Sequence, residues 1–128
     1  MVNTWIEDKI QIQELAAQYA LAMDEHDLNR WLETWTPNGR WEGALGTYQG
    51  ENLKLLLRDL GERIINRRHV ITNYVIDVKG NEASQTCYMQ IVAYKDGPKI
   101  MATAVYRDDL VKVDGKWKFS VRRMNLDS

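Results

Sequence analysis

The stretch HVITNYVIDVKGNEASQTCYMQIVAY, residues 69–94, decides the fold. Two runs rich in Val, Ile, Thr, Tyr and Met flank Gly80-Asn81. β-branched and aromatic residues suit a pleated, half-buried surface, and a tight Gly-Asn break between two such runs signals a hairpin. The pattern continues downstream. KIMATAVYRDDLVKV (99–113) and KWKFSVRRM (116–124) are two more such runs, with breaks at Asp96-Gly97 and Asp114-Gly115. Four strands joined by three tight turns predict an antiparallel meander.

Upstream of residue 66 the period changes. Ile6, Ile10, Ile12, Leu15, Ala16, Tyr19, Ala20 and Met23 recur at helical spacing, after a candidate cap at Asn3 or Thr4. A second, short helix is expected from Asp27, as its N-cap, to about Trp35, ended by Thr36-Pro37-Asn38-Gly39. RWEGALGTYQG (40–50) reads as a short strand and loop. A third helix is expected from about Glu51 to Ile65, with Leu53, Leu56, Leu57, Leu60 and Ile64 turned inward. Helices first and sheet second define an α+β fold, with three N-terminal helices packed on a curved, mostly antiparallel sheet. A twisted sheet folded over helices encloses a pocket between the layers.

The 128 residues fit one domain, 1–128. Hydrophobic residues make up 45% of the chain, enough for a real core and against disorder. The 17 basic and 18 acidic residues are interspersed, so nothing steers the chain toward nucleic acid or an anionic membrane. No run approaches the roughly 20 apolar residues of a membrane span, and the first residues lack the pattern of a signal peptide. The single cysteine, Cys87, has no internal partner for a disulfide, which makes a reducing cytoplasm the expected location. Two histidines and one cysteine, far apart, do not make a metal site. Neither a phosphate-binding glycine loop nor a nucleophile elbow is present, so no cofactor is expected.

The first expected helix ends in the acidic turn Asp24-Glu25-His26-Asp27. At about 100° per residue, Glu7, Gln11, Glu14, Gln18 and Glu25 form a solvent stripe. Asp24 lies roughly 100° away, in line with Ile6, Ile10 and Ala17, and is expected to lean inward. It then needs a partner, since an unpaired buried carboxylate costs several kcal/mol. Two readings stand side by side: Asp24 accepts backbone N–H groups of the loop that follows, or it faces the pocket. His69 is the candidate partner in the second reading. A carboxylate that orients an imidazole leaves the other ring nitrogen as a general base. His69 falls in phase with Ile71, Asn73 and Val75, while Val70, Thr72, Tyr74 and Ile76 point the other way. Both faces are mixed, so alternation does not say which is inside. Strand phase places Cys87, Met89, Ile91 and Ala93 on one apolar face and Ala102, Ala104 and Tyr106 on another; Tyr19, Trp31 and Trp41 are aromatic candidates for the same wall.

Several motifs occur together: an Asp-rich turn after a long helix; Trp31, then W-T-P-N-G-R-W (35–41); a glycine before a helix; R-R-H-V-I-T-N (67–73); and V-D-G-K-W-K-F (113–119). In this combination the chain resembles the SnoaL-like branch of the NTF2-like (cystatin-like) superfamily, over nearly its whole length. The resemblance implies a cone of three helices on a curved sheet. Scytalone dehydratase and a dehydrochlorinase of that superfamily pair an Asp at the end of the first helix with a His at the start of the first long strand. By position, Asp24 and His69 match that pair, and Arg122 matches an arginine on the last strand. Tyr19 and Met23 stand where those relatives carry other catalytic side chains. The resemblance therefore implies a small-molecule enzyme that abstracts a proton with an Asp24–His69 base, as a lyase or isomerase. Its substrate-binding residues would be Tyr19, Trp41, Met89, Ile91, Tyr106 and Arg122, its ligand a small apolar organic molecule, and its assembly a homodimer through the sheet face bearing Thr86, Tyr88 and Gln90. The alternative is the same fold as a non-catalytic ligand-binding or protein-interaction module.

Overall fold

The computed structural model describes residues 4–128, so the candidate cap Asn3 lies outside the described residues. Helix α1 spans Thr4–Asp24 and α2 spans Leu28–Leu32. Strands β1 (Trp35–Gly43) and β2 (Gly46–Gln49) follow. Helix α3 (Lys54–Leu60) sits between the 3-10 turns Gly50–Leu53 and Gly61–Ile64. The long strands are β3 (Arg67–Lys79), β4 (Glu82–Ala93), β5 (Lys99–Val113) and β6 (Lys116–Leu126). They form one curved sheet in the order β2-β1-β6-β5-β4-β3. Among the described residues only the β1–β6 pair is parallel. The helices cover the concave face, and Ile12, Tyr19, Trp31, Trp35, Leu56 and Phe119 fill the layer between. This is the α+β architecture expected. No helix among the described residues is long and apolar enough to cross a membrane.

Three local expectations change. The segment Thr36–Gly39 does not end a helix; it is the middle of β1. Trp35 pairs with Phe119 and Arg40 with Val121, so β1 spends five residues where β6 spends two, and Pro37, which has no N–H to give the ladder, sits in the resulting irregularity. Gly39 is tightly packed there: a Cβ on it would lie 2.7 Å from Cε3 of Trp35. The third helix is broken in two at Gly61, whose φ of +54° leaves the helical region. The third change concerns α1. The predicted solvent stripe is exposed, but so are Ile6, Ile10 and Ala17, which share the phase of Asp24. The buried side of α1 runs instead through Asp8, Ile12, Leu15, Ala16, Tyr19, Ala22 and Met23. Asp8 belongs to it because its carboxylate accepts hydrogen bonds from Trp117 Nε1 (2.9 Å) and Lys112 Nζ (3.0 Å), tying the start of α1 to the β5–β6 hairpin.

The far end of α1 is fixed by its own backbone. Asp27 N–H donates to Ala22 O (2.8 Å) and His26 N–H to Met23 O (3.1 Å), with His26 at φ +57°. This is the paired bonding of a Schellman cap, with a histidine in the left-handed position where glycine is usual. Asp27 then caps α2 through the N–H of Arg30 (3.2 Å). The chain reverses within four residues, and Asp24 is left on the last helical turn, held against β3.

Strand β3 explains why alternation was ambiguous. Thr72 pairs with Tyr88 but Val75 pairs with Thr86, so one extra residue is inserted between them. Asn73 adopts φ +59°, and the bulge exchanges the two faces. Before it, Arg67, His69 and Ile71 face inward; after it, Tyr74, Ile76 and Val78 do. The predicted in-phase set of His69, Ile71, Asn73 and Val75 therefore spans both sides, and Val75 is 73% exposed.

Candidate functional site

Across the concave face the sheet register lines up successive rows. His69 lies beside Ile91, and Ile91 beside Ala102; Ile71 pairs with Met89, Met89 with Ala104, and Cys87 with Tyr106. The end of α1 crosses over the start of β3. Here Asp24 meets His69: its Oδ1 lies 2.6 Å from His69 Nδ1. Both carboxylate oxygens also accept the backbone N–H of His69, each at 3.1 Å. One carboxylate therefore holds the strand backbone and the ring at once. The two side chains are 11% and 4% exposed. Of the two sequence readings, neither is complete alone: Asp24 does accept a backbone N–H, but that of His69 rather than of the loop after α1, and it takes the imidazole as well. It is enclosed although Ile6 and Ile10, in the same helical phase, are bare, because α1 and β3 pack together.

A carboxylate can only accept, so the Nδ1 facing it carries a ring proton; in the neutral ring Nε2 then keeps its lone pair. His69 lies in the wall of a cavity of about 490 Å³. Tyr19, Trp41, Met89, Ile91 and Tyr106, all expected in the wall, line it. So do Met23, Leu60, Arg63, Ile64, Arg67, Met101, Ala102 and Met124. This is the size and the mostly apolar character of a small-ligand site. A groove of about 500 Å³ between α1 and the β5–β6 turn is lined by Gln11, Glu14, Gln18, Arg30 and Lys116 among others, and is an ordinary polar surface cleft.

Five expected residues do not line the cavity: Cys87, Ala93, Ala104, Trp31 and Arg122. Trp31 is fully buried in the core and does not reach the cavity. Arg122, expected to bind substrate, is also fully buried and lies behind the cavity wall. Its guanidinium carbon lies 3.5 Å from the ring centre of Tyr106, 4.4 Å from that of Tyr19 and 4.5 Å from that of Phe119. Arg122 Nε lies 3.1 Å from Asp108 Oδ1, but the N–H does not line up on the oxygen, so this is an ion pair without a well-formed hydrogen bond. Gln85 donates to the other carboxylate oxygen at 2.9 Å. Register explains the row: Gln85 pairs with Asp108, Asp108 with Arg122, and Arg122 with Trp41. Arg122 thus backs the tyrosines instead of meeting a ligand.

Burial pushes the Asp108 carboxyl up, against the pull of Arg122 and Gln85. Burial pulls the Arg122 guanidinium down, but the charge of Asp108, followed by Tyr106 and Tyr19, more than restores it and it stays ionised. Burial pushes the Tyr19 phenol up to about 12 and the Tyr106 phenol well above its usual value, so both are neutral donors. The Tyr19 hydroxyl is buried with no hydrogen-bond partner among the described residues. Burial likewise pushes the Cys87 thiol up to about 11, as suits an inert core residue. Among the described residues, no group of three or more His, Cys, Asp and Glu side chains comes together to hold a metal ion.

A cone of helices on a curved sheet with a concave apolar cavity defines an NTF2-like, cystatin-like protein. A Nostoc punctiforme protein of unknown function with a cystatin-like fold superposes with a TM-score of 0.90 at 28% identity, covering 94% of this chain and 91% of that one. A protein of unknown function from Mycobacterium tuberculosis, solved as a variant, gives 0.83 at 29% identity, over 97% and 73%. A Catenulispora acidiphila protein gives 0.84 at 24% identity, over 95% of each chain. Within this class, the chain belongs to the SnoaL-like domain family, whose family model matches residues 5–123. No curated protein matches it.

Proposed function

We propose that this protein is an enzyme in which His69 Nε2 removes a proton from carbon on a small, largely apolar organic molecule held in the cavity. The observation that carries the reading is the 2.6 Å Asp24–His69 contact at the wall of an apolar hollow. The C–H electron pair moves onto an adjacent carbonyl, giving an enolate, while the proton passes to Nε2. The Asp24 carboxylate then faces an imidazolium and stabilises it. Tyr19 and Tyr106, neutral phenols on residues that line the cavity, are the candidate donors to the oxygen that gains charge. Loss of a β-leaving group, return of the proton to another carbon, or ring closure completes an elimination, isomerisation or cyclisation. None of these needs a cofactor.

The test is solvent exchange. Enolisable aryl ketones incubated with the protein in D₂O should gain deuterium at the carbon next to the carbonyl, followed by NMR, and His69→Gln should lose the activity while keeping its fold. Exchange equal in both proteins removes the base. The second reading, a ligand-binding module, draws on the Catenulispora protein, which was solved in complex with S-DNPA. In that case His69→Gln would keep its ligand affinity and no exchange would be seen in either protein.

A homodimer through the convex sheet face is part of the proposal. Val70, Val75 and Tyr88 on that face are 39%, 73% and 51% exposed, a grouping of apolar side chains that association would cover. Sedimentation should give twice the chain mass, and Tyr88→Lys should shift it toward the single chain. A monomer at micromolar concentration ends this part.

A further inference from the structure

The cavity wall carries two arginines that proton abstraction does not use. Arg63 stands on the 3-10 turn Gly61–Ile64 and Arg67 opens β3, and both line the same hollow as His69. Arg67 is two residues before His69, so the strand pleat points both inward, about 7 Å apart along the chain. Arg68 turns to the other side and lies over the ring of Tyr94, 4.7 Å from its centre. Among the described residues no carboxylate lines the wall; Asp24 stands behind it, on His69. Among the described residues neither Arg63 nor Arg67 forms an ion pair. Arg67 donates to one backbone carbonyl, that of Ile65, at 3.1 Å. That bond fixes the side chain and leaves most of its five N–H donors unspent. A single arginine after α3 would be explained as a complement to the helix dipole; Arg67, on a strand, has no such role.

We infer that the ligand of this cavity is an organic anion: a flat aromatic body with a carboxylate or similar acid group, the acid held by Arg63 and Arg67 and the body seated against the apolar wall. The inference rests on the reading of the cavity as a ligand site and adds the charge of what enters it. Guanidinium forks match the two oxygens of a carboxylate, and their attraction strengthens beside an apolar surface. The wall suits an aromatic body. Met23, Met89, Met101 and Met124 present polarisable sulfur that adapts to ring faces and edges, and Trp41 adds a flat surface. With its acid group on the arginines, the rest of the molecule lies beside His69, on the same strand face. The arginines thus select which molecules enter and which end faces the base.

The probes are 2-naphthoate and its neutral isostere 2-naphthamide, with affinities read by calorimetry at low salt. Wild type should bind naphthoate at least about tenfold tighter than the amide, and the gap should shrink as salt screens the charge. In Arg63→Gln/Arg67→Gln the two affinities should fall within about twofold of each other, with amide binding unchanged. Equal binding of both probes to wild type overturns the inference, as does a preference that survives in the double variant or the failure of both probes to bind. Neither probe has an exchangeable C–H next to its carbonyl, so His69→Gln should keep the preference. A naphthoate preference without any His69-dependent exchange would leave the anion site standing and remove the base; exchange without the preference would do the reverse.

Discussion

Asp108→Ala is expected to destabilise the protein by about 3–5 kcal/mol, the usual cost of stranding one partner of a fully buried ion pair. Asp108 and Arg122 are both 0% exposed, and Arg122 Nη1 has no hydrogen-bond partner. Without the carboxylate the guanidinium keeps the faces of Tyr19, Tyr106 and Phe119 and a weak bond from Nη2 to Cys87 Sγ (3.7 Å), and Gln85 loses its acceptor. Removing both charges is a milder change. Asp108→Leu/Arg122→Met should recover much of the loss, because two apolar side chains of suitable size carry no desolvation cost. The opposite single change, Arg122→Met, should show a pH signature. Asp108 is already raised by burial, and losing Arg122 raises it further. Above the unfolded carboxyl value of about 4 the unfolded chain has released this proton while the folded one keeps it, so folding stability falls as pH rises. Urea unfolding between pH 4 and 8 measures both effects. A single variant within about 1 kcal/mol of wild type, or a stability that climbs with pH, would show that the pair is not desolvated. The consequence reaches the cavity, since Tyr19 and Tyr106, which line it, rest on that guanidinium.

The fold was legible because its strongest signals are local. Glycine-containing turns at Gly80, Gly97 and Gly115 adopt positive φ in the structure and separate strands of the expected lengths. Where a distant partner decides, the reading failed. Nothing near Thr36–Gly39 announces a strand, because β1 is made by pairing with β6, some eighty residues later in the chain. Ile6 and Ile10 have the composition of a core but face outward, since the carboxylate of Asp8 is buried by the remote Lys112 and Trp117. The inner face of β3 could not be read by alternation because Asn73 inserts a bulge, and a left-handed asparagine has no distinctive neighbours in the sequence. Arg67, by contrast, was within reach: residues 67 and 69 share a face before the bulge, so an inward His69 brings Arg67 with it. Arg122 was matched to the site by family resemblance, and only the cross-strand row with Asp108 and Gln85 shows that it lies behind the wall. Asp24 was placed inward from a helical phase that proves exposed; what encloses it is β3.

Asp24→Asn is expected to lower the rate of proton abstraction by about 10²–10⁴ while the fold is kept. The carboxylate takes three hydrogen bonds with two oxygens, all from His69: backbone N–H to each oxygen at 3.1 Å, and Nδ1 to Oδ1 at 2.6 Å. An amide of the same shape has one oxygen and one NH₂, and neither placement reproduces all three bonds. With the oxygen toward Nδ1, the backbone N–H of His69 keeps that oxygen but loses its second acceptor, and the NH₂ stands beside the N–H, donor next to donor, at a cost of about 1 kcal/mol. With the NH₂ toward Nδ1, it donates to that nitrogen, the ring proton moves to Nε2, and the lone pair that faces the cavity is gone. In either placement the imidazolium formed after proton transfer loses its counter-charge. The ring ¹⁵N shifts of His69 report the tautomer without any substrate: wild type should show Nδ1–H, and Asp24→Asn should show a shift toward Nε2–H or a loss of stability of about 1 kcal/mol. Turnover on any substrate found by deuterium exchange gives the rate. A variant with an unchanged tautomer, unchanged stability and a rate within about threefold of wild type would mean that Asp24 only anchors the strand, and that the carboxylate takes no part in chemistry.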